Sequence, residues 1–376
     1  MLQQTQVKTV IPYWKRWMRE LPTIEAVANA SPGKIHKLWE GLGYYTRVRN
    51  LQKAAKQIVA QHDARSETRR RRGNESQIKR NSETLHVISY KFPDHFDDVL
   101  ALPGIGRYTA GAICSIAFNQ PTPILDGNII RVLTRVFGIG ENPREKKTNA
   151  QLWRLAEELV IHASRFTHHV SRSKSRTRTR TINEDDLVCS HLNQSLMELG
   201  ALICTPRNPQ CQICPIKKLC VAFREGRVGE LPNLGKREAA TARRFVAFVV
   251  ERNGRFLVRQ RPAGVVNAHL WEFPNAESSD TKLDVKKIFK SIFGVEPLEV
   301  QPLCTVKHSI TRYRITLEAF RVNLGGRSCT TPKHFGTRRA RPSEIGVWLP
   351  LAKLYPLAFT SAHRKVLGAL KTSTDR

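Results

Sequence analysis

LPGIGRYTAGAI, residues 102–113, says more about the architecture than any other segment of the chain. Gly104 and Gly106 flank a single apolar residue, and the small and apolar residues after them are typical of a closely packed helix. Because glycine permits backbone angles that other residues avoid, the segment predicts a tight hairpin between two helices. The amide groups at the start of the second helix would face outward and suit a phosphate group, although an ordinary tight turn would have the same sequence.

The sequence on both sides of this hairpin has the period of helices. From 3 to about 62, and again over 92–160, apolar residues recur at spacings of three and four. Two arginine-rich segments, 64–87 and 164–181, lack this period and are interpreted as solvated loops or disordered inserts. Residues 1–223 are therefore predicted to form an all-helical domain with two basic inserts.

The period changes beyond a polar connector at 224–244. FVAFVV at 245–250 and FLV at 256–258 flank Asn253-Gly254, which is the sequence of a β-hairpin. Strands are also expected at 303–306 and 314–322, and helices near 283–292 and 362–370. Mixed strands and helices after a helical first part predict a second, α+β domain at 245–376.

The charge of the chain indicates its partner. The 376 residues include 62 Lys and Arg against 32 Asp and Glu, for a formal net charge of +30. The commonest polyanion that such a balance would bind is nucleic acid. No run of about 18 apolar residues predicts a membrane span, and the N-terminal MLQQTQVKTV lacks the apolar core of an export signal. We therefore expect an intracellular protein that works on nucleic acid and not in a membrane.

Four cysteines form a cluster in the sequence: Cys204, Cys211, Cys214 and Cys220. Four thiolates so close together can converge on one metal centre, and soft sulfur ligands select zinc or an iron–sulfur cluster. Zinc ribbons usually contain two pairs of cysteines separated by two residues, and here only Cys211 and Cys214 form such a pair. The spacing favours an iron–sulfur cluster over zinc, and disulfides are disfavoured because nothing indicates secretion.

A single acidic residue, Asp126, ends an apolar run and begins a helix in PILDGNIIRV at 123–132. Aspartate followed by glycine and asparagine is a favourable helix N-cap, so a structural role alone would account for it. A functional carboxylate is the alternative interpretation.

The hairpin, Asp126 and the cysteine cluster occur in the order found in the helix-hairpin-helix DNA glycosylases that carry an iron–sulfur loop, and the chain resembles that superfamily. Within it the sequence is most similar to the adenine DNA glycosylase (MutY) family. Besides 102–113, the matching blocks are MLQQTQV at 1–7, GLGYYTRVRNL at 41–51, PILDGNIIRVL at 123–133 and LNQSLMELGALIC at 192–204. The resemblance implies a helical glycosylase domain, a 4Fe-4S cluster on the four cysteines, and a Nudix-like C-terminal domain that recognises 8-oxoguanine.

The same resemblance implies the reaction and its residues. Asp126 would stay ionised and stabilise an oxocarbenium-like sugar while adenine is released from its mispair with 8-oxoguanine or guanine. Endonuclease III-like relatives have a Schiff-base lysine where this chain has Tyr108, so we expect a monofunctional glycosylase. Gln4 and Tyr44 would enter the base stack of the double-stranded DNA, and Gln194 would hydrogen-bond the extruded adenine.

The C-terminal domain is expected to bind 8-oxoguanine in DNA and not to hydrolyse nucleotides. RPAGVVNAHLWEFPNAE at 261–277 is similar to MutY and to Nudix hydrolases, but 283–291 offers one acidic residue and three lysines where a hydrolase needs several acids for its metal. Members of the family recognise 8-oxoguanine with a Phe-Ser-His loop. Residues 310–312 of this chain align with that loop. Thr311 and Arg312 are therefore the candidates that read the lesion.

The resemblance also raises a question about catalysis. The family's second carboxylate, a glutamate that protonates adenine, lies two residues before the MLQQ block, which here begins at Met1. We therefore expect that the working protein starts upstream of Met1 and is a monomer. The chain from Met1 alone would be a catalytically inactive form that binds the lesion. An endonuclease III-like glycosylase and a zinc-containing nucleic-acid-binding module are the remaining alternatives.

Overall fold

A computed structural model describes residues 1, 5–71, 92–171, 187–235, 239–278, 284–310, 312–324 and 346–374. They fall into two units, one drawn from Met1–Leu85 together with Glu238–Arg376 and the other from His86–Arg237. No helix in these ranges is both long and apolar enough to cross a membrane. The domain boundaries at 223 and 245 stay a prediction from the sequence.

Four helices begin the first unit. They are α1 (Val7–Glu20), α2 (Ile24–Asn29), α3 (Pro32–Trp39) and α4 (Thr46–Arg71). The side chain of Thr23 caps α2 by accepting from the Ala26 amide at 3.0 Å, and Ser31 caps α3 through the Lys34 amide at 3.3 Å. The helical period expected up to about residue 62 is confirmed in the described residues.

The basic inserts are partly helical, and the expectation of loops is wrong for their first residues. Helix α4 continues to Arg71, and in the second unit a helix of 26 residues continues to Ser171. Residues 64–71 and 164–171 contain no glycine or proline to end a helix. In 64–71 the alanine, glutamate and arginine residues are also good helix formers. The remaining residues of both inserts lie outside the described ranges.

The second unit is helical and contains the predicted hairpin. Its helices are α5 (Phe96–Leu100), α6 (Arg107–Phe118), α7 (Gly127–Val136), α8 (Lys146–Ser171), α9 (Val188–Glu198) and α10 (Val221–Arg224). A π-helical turn at Leu199–Ile203 follows α9, and two 3-10 turns, Cys211–Ile213 and Lys217–Leu219, lie in the cysteine segment. Ile129 and Leu133 of α7 pack with Leu152 of α8 in a core that excludes water.

The C-terminal part of the first unit is a mixed sheet with helices on it. Its elements are β1 (Thr241–Arg252), β2 (Arg255–Gln260), β3 (Trp271–Glu272), β4 (Asn275–Ser278), α11 (Val285–Phe293), β5 (Glu299–Ile310), β6 (Tyr313–Asn323), β7 (Val347–Pro350), α12 (Leu351–Leu354) and α13 (Ser361–Thr374). The strand order is β3-β2-β1-β6-β5, with β4 paired to β1 and β7 to β2. Only β1 and β6 run parallel, and the remaining described strand pairs are antiparallel.

The predicted β-hairpin is confirmed at β1 and β2. Asn253 and Gly254 both have positive φ, 48° and 68°, as a two-residue hairpin turn requires. Alternate residues of β1 face two different cores: Val246, Phe248 and Val250 pack with α11, whereas Ala247 and Val249 pack with α13. The continuous apolar run in the sequence is explained because both faces of this strand are buried.

Within the first unit, the N-terminal helices share a buried cluster with two residues that lie just outside the strands of the C-terminal part. Trp17, Trp39 and Tyr45 belong to the same buried cluster as Leu270 and Ala358 of the C-terminal part. Two segments far apart in the sequence therefore share one core.

Candidate functional site

Asp126 is the N-cap of α7, as the sequence suggested. Its Oδ1 accepts hydrogen bonds from the amides of Asn128, at 2.9 Å, and Ile129, at 2.8 Å. Its Oδ2 accepts from the Asn128 side-chain amide at 3.3 Å. The carboxylate is half-buried, and one oxygen is thus taken by the helix while the other has a single, longer hydrogen bond.

A chain of hydrogen bonds joins Asp126 to the cysteine segment. The guanidinium of Arg131, which is buried in α7, donates to Asn128 Oδ1 at 2.9 Å, to the carbonyl of Gly200 at 2.6 Å and to the carbonyl of Cys204 at 2.7 Å. Asn128 in turn donates to Asp126. Sequence reasoning did not assign a role to Asn128 or Arg131. The available signal was an arginine within the apolar run PILDGNIIRV, because a charged side chain buried there needs hydrogen-bond partners.

Tyr108 lies in the same unit, in the second position of α6. Its hydroxyl donates to Met197 Sδ of α9 at 3.6 Å. Burial, and then the negative charge of Asp126, raise the pKa of the Tyr108 hydroxyl. Tyr108 also packs against the buried cluster that contains Leu125, the residue before Asp126, so the two residues proposed for the reaction lie in the same part of this unit.

The hairpin between α5 and α6 has the expected backbone. Gly104 has a φ of +80°, which only glycine adopts without strain, and Gly106 is the N-cap of α6. Both glycines are exposed, and the first amides of a helix have no acceptor within it. Arg107 is held over the ring of Trp153 at 4.1 Å from the centroid.

All four cysteines of the cluster line one cavity. Its other walls are mainly aliphatic, and Arg135 and Lys217 are the charged residues there. Arg135 donates to Cys204 Sγ at 3.3 Å and to the carbonyl of Thr205 at 2.9 Å. Four soft sulfurs, apolar walls and two cations fit an iron–sulfur cluster bound by thiolates, whose potential depends on such hydrogen bonds to sulfur.

The thiols surround this cavity and do not converge on a single point. Among the described residues, no group of three or more Cys, His, Asp or Glu side chains is placed to hold one metal ion. Burial, and then the neighbouring Cys204, raise the pKa of the Cys211 thiol. A bound metal centre reverses this effect because it deprotonates the thiols that coordinate it.

Tyr44 projects from a strained turn in the first unit. It is 53% exposed and has a φ of 48°, which is unusual for a residue other than glycine. The guanidinium of Arg47 lies 5.3 Å from the centre of the Tyr44 ring and donates to the carbonyls of Leu42 and Gly43 at 3.1 and 3.3 Å. Gln4, its predicted companion, lies outside the described residues.

The other predicted contacts are on exposed surfaces. Gln194 is exposed on α9, where its Nε2 donates to Ser190 Oγ at 2.9 Å. Arg312, at the tip of the β5–β6 hairpin, lies 5.4 Å from the Tyr313 ring centre, and its Nη2 donates to the Tyr313 hydroxyl at 3.3 Å. Thr311 lies outside the described residues.

Comparison with known families agrees with this fold. Residues 1–158 match the HhH-GPD superfamily of base excision DNA repair proteins, 204–220 match the iron–sulfur binding domain of endonuclease III, and 245–369 match the NUDIX domain. The fold and the cysteine site thus define a base-excision DNA repair protein with an iron–sulfur cluster and a Nudix-like domain. The predicted fold class and the 4Fe-4S cluster are confirmed.

Individual relatives show to which family of base-excision repair proteins the chain belongs. The chain is 31% identical over 414 aligned residues to the adenine DNA glycosylase of Rattus norvegicus, covering 97% of this chain and 69% of that protein. The Homo sapiens adenine DNA glycosylase is 30% identical over 97% of this chain and 66% of its own length. The enzyme of the same name from Buchnera aphidicola (subsp. Schizaphis graminum) is 28% identical over 99% of this chain and 89% of its length. The chain belongs to the adenine DNA glycosylase family.

Proposed function

We propose that this protein hydrolyses the N-glycosidic bond of adenine in double-stranded DNA where adenine lies opposite 8-oxoguanine or guanine. The observation that carries the proposal is the environment of Asp126. One of its oxygens is used to cap α7 and the other has one long hydrogen bond. Burial, and then this carboxylate, raise the pKa of the nearby Tyr108 hydroxyl. The relatives named as adenine DNA glycosylases support adenine as the base.

Asp126 supplies the negative charge that this reaction needs. Adenine in a duplex must be extruded before an enzyme can reach its glycosidic bond. As that bond breaks, the sugar acquires positive charge, which a fixed carboxylate stabilises without reorganising. The two backbone amides on Oδ1 hold the group in place and leave Oδ2 to face the developing cation.

Tyr108 makes the protein a monofunctional glycosylase. A strand-cleaving lyase forms a Schiff base between an amine and the sugar, and a phenol cannot form one. The hydroxyl of Tyr108 is protonated at neutral pH because its pKa is raised from an already high value. The product is therefore intact DNA with an abasic site.

The remaining site residues bind DNA and the mispair. Gly104 and Gly106 present backbone amides of the hairpin to a phosphate, and the exposed ring of Tyr44, together with Gln4, enters the base stack. Gln194 hydrogen-bonds the extruded adenine. Thr311 and Arg312 read 8-oxoguanine from the Nudix-like domain, which binds without hydrolysing a nucleotide.

The iron–sulfur cluster has a supporting role in this proposal. Cys204, Cys211, Cys214 and Cys220 would hold the cluster, which would tie the segment 204–220 together through their thiolates. The residues of α7 then determine what that segment does: Arg131 holds the carbonyl of Cys204 while it orients Asn128 against Asp126. We propose that the protein acts as a monomer. We also propose that it works inside the cell, in the compartment that contains the DNA.

Single-turnover release of adenine tests the proposal. The enzyme is mixed in excess with a duplex containing one adenine opposite 8-oxoguanine, opposite guanine or opposite thymine. We expect adenine release from the first two and not the third, with strand breaks only after alkali treatment. Binding to the mispair without release would support a lesion-binding protein instead. A complex trapped by borohydride, or release of oxidised pyrimidines, would support the endonuclease III-like alternative.

A further inference from the structure

The turn that carries Tyr44 begins at Glu40, and Glu40 is bonded to the Nudix-like domain. Its Oε1 accepts from the backbone amide of Phe359 at 2.9 Å. The side chain of Phe359 is fully buried in the core under the mixed sheet, and its backbone bridges to Trp271 of β3. The carboxylate therefore reaches a rigid part of the domain and not a peripheral loop.

Lys37 completes this junction with all three of its donors. Its ammonium donates to Glu40 Oε2 at 2.7 Å, to the carbonyl of Tyr355 at 2.7 Å and to the carbonyl of Leu357 at 3.1 Å. Arg364 of α13 approaches the same carboxylate oxygen at 3.9 Å. The Glu40 side chain is only 13% exposed, and a buried charge needs partners. Lys37 from the N-terminal segment and Phe359 and Arg364 from the C-terminal segment supply them.

The turn after Glu40 is stiff enough to transmit this attachment to Tyr44. Gly41 and Gly43 have φ of 105° and 68°, and Tyr44 follows at 48°. Trp39 Nε1 donates to the carbonyl of Gly43 at 3.0 Å, and Arg47 fixes the same carbonyl from beneath the Tyr44 ring. A turn so constrained at each residue cannot easily shift at one end without moving the other.

From these contacts we infer that Glu40 is a positioning residue: it ties the Tyr44 turn to the Nudix-like domain, so that the aromatic ring is held at a fixed place relative to the domain that meets the lesion. The inference rests on the proposed role of Tyr44 in DNA. Its consequence is that recognition of the damaged duplex depends on a largely buried carboxylate as well as on the exposed ring.

The test compares Glu40→Ala with Glu40→Gln in the full chain. Glutamine keeps an acceptor for the Phe359 amide but loses the charge that pairs with Lys37, whereas alanine loses both. Hydrogen exchange at the Phe359 amide reports the junction directly. We expect exchange to be faster by about tenfold in Glu40→Ala, equivalent to about 1.4 kcal/mol, and by less in Glu40→Gln.

A second readout separates positioning from general stability. The ratio of affinities for a duplex with adenine opposite 8-oxoguanine and for an undamaged duplex should fall about tenfold in Glu40→Ala. The fluorescence of 2-aminopurine beside the lesion, which reports unstacking, should fall with it. The rate constant of adenine release at saturating enzyme should fall by less than about threefold, because the reaction centre is untouched.

Matched controls make each outcome decisive. Glu251→Ala removes another ion pair of the same unit, that with Arg321 at 2.7 Å, and should leave the affinity ratio unchanged. If Glu40→Ala does not fold, Lys37→Met weakens the junction and should give the same pattern. An affinity ratio within about twofold of wild type, or an unchanged Phe359 exchange rate, would overturn the inference. If the wild-type protein released no adenine, the proposed function would fail, and the exchange result would still be readable.

Discussion

Asp126 both caps a helix and carries a negative charge, and substitution can separate the two properties. Asparagine is as good an N-cap as aspartate, and its carbonyl oxygen can accept the amide bonds of Asn128 and Ile129. Asparagine is neutral, however, and cannot stabilise a cationic sugar. Alanine lacks both properties.

Asp126→Asn should therefore lower the rate constant of adenine release by about 100- to 1000-fold or more, since one preorganised electrostatic partner contributes that much. The melting temperature should stay close to that of wild type. Asp126→Ala should lose the same activity and also about 1 kcal/mol of stability, through loss of the cap. Single-turnover rates and thermal melts measure the two effects. Near-normal release by Asp126→Asn would show that the residue is only a cap.

At this scale the sequence reveals part of the site. The acidic residue after an apolar run, the glycines of the hairpin and the four cysteines all have local signatures. The partner Met197 has none, because it contacts Tyr108 from a helix 89 positions further along the chain. Spacing alone cannot show such a contact, whereas the hydrogen bonds of Asn128 to Asp126 and Arg131 lie within one helical turn.

Helix α7 is the element that joins the candidate reaction centre to the cysteine segment. Asp126 caps its first turn, whereas Arg131 and Arg135 bind the carbonyl of Cys204 and its sulfur from the same helix. Both guanidinium groups are buried. Removing a partner of such a buried charge is strongly destabilising, because the charge is then left uncompensated.

Arg131→Met should disturb both ends of α7. The carbonyls of Gly200 and Cys204 would lose a charged donor, at a cost of about 1–3 kcal/mol for each buried acceptor left unpaired. We expect less iron per chain, a lower melting temperature, and slower adenine release even in the fraction that retains iron. Arg154→Met, on the exposed face of α8, is the matched control and should change none of these. Full iron content with wild-type release in Arg131→Met would contradict the link.

Secondary structure was predictable wherever the period was local. The helices up to residue 62, the β1–β2 hairpin and α11 follow from spacing and turn residues. The parallel pairing of β1 with β6, from Thr241 opposite Tyr313 to Val250 opposite Val322, could not be predicted because it joins residues more than 70 positions apart. The short strands β3 and β4 carry too few residues to show a period.

At the scale of the whole molecule, two buried histidines make stability depend on pH. Burial lowers the pKa of His363 to about 4 and, in the other segment of the first unit, that of His36 to about 4. His363 accepts a hydrogen bond from the Phe273 amide through Nδ1 at 3.1 Å, which requires the neutral ring. The unfolded chain protonates such histidines near pH 6.5, well above the folded value.

The contribution of these two histidines to the free energy of unfolding should therefore fall as the pH drops from about 6.5 to about 4 and stay constant below that. Each histidine contributes a slope of up to about 1.4 kcal/mol per pH unit in this window, because the unfolded state binds one more proton. His363→Asn keeps an acceptor for the Phe273 amide and should flatten the slope by about one proton. Denaturant titrations across the window measure it, and an unchanged slope would exclude His363 as a source.

The core of the first unit can form only after both of its sequence segments have been synthesised, because each segment contributes residues to it. Glu40 and Phe359 are 319 residues apart. Ribosomes add about 5–20 residues per second, so roughly 16 to 64 s pass between the emergence of one partner and that of the other. During that interval Trp39 and its neighbours lack the cover that Leu270 and Ala358 provide in the finished core. The nascent N-terminal segment is thus a natural client for chaperones, while the helical unit between the two segments can complete its own core before the ribosome reaches the stop codon.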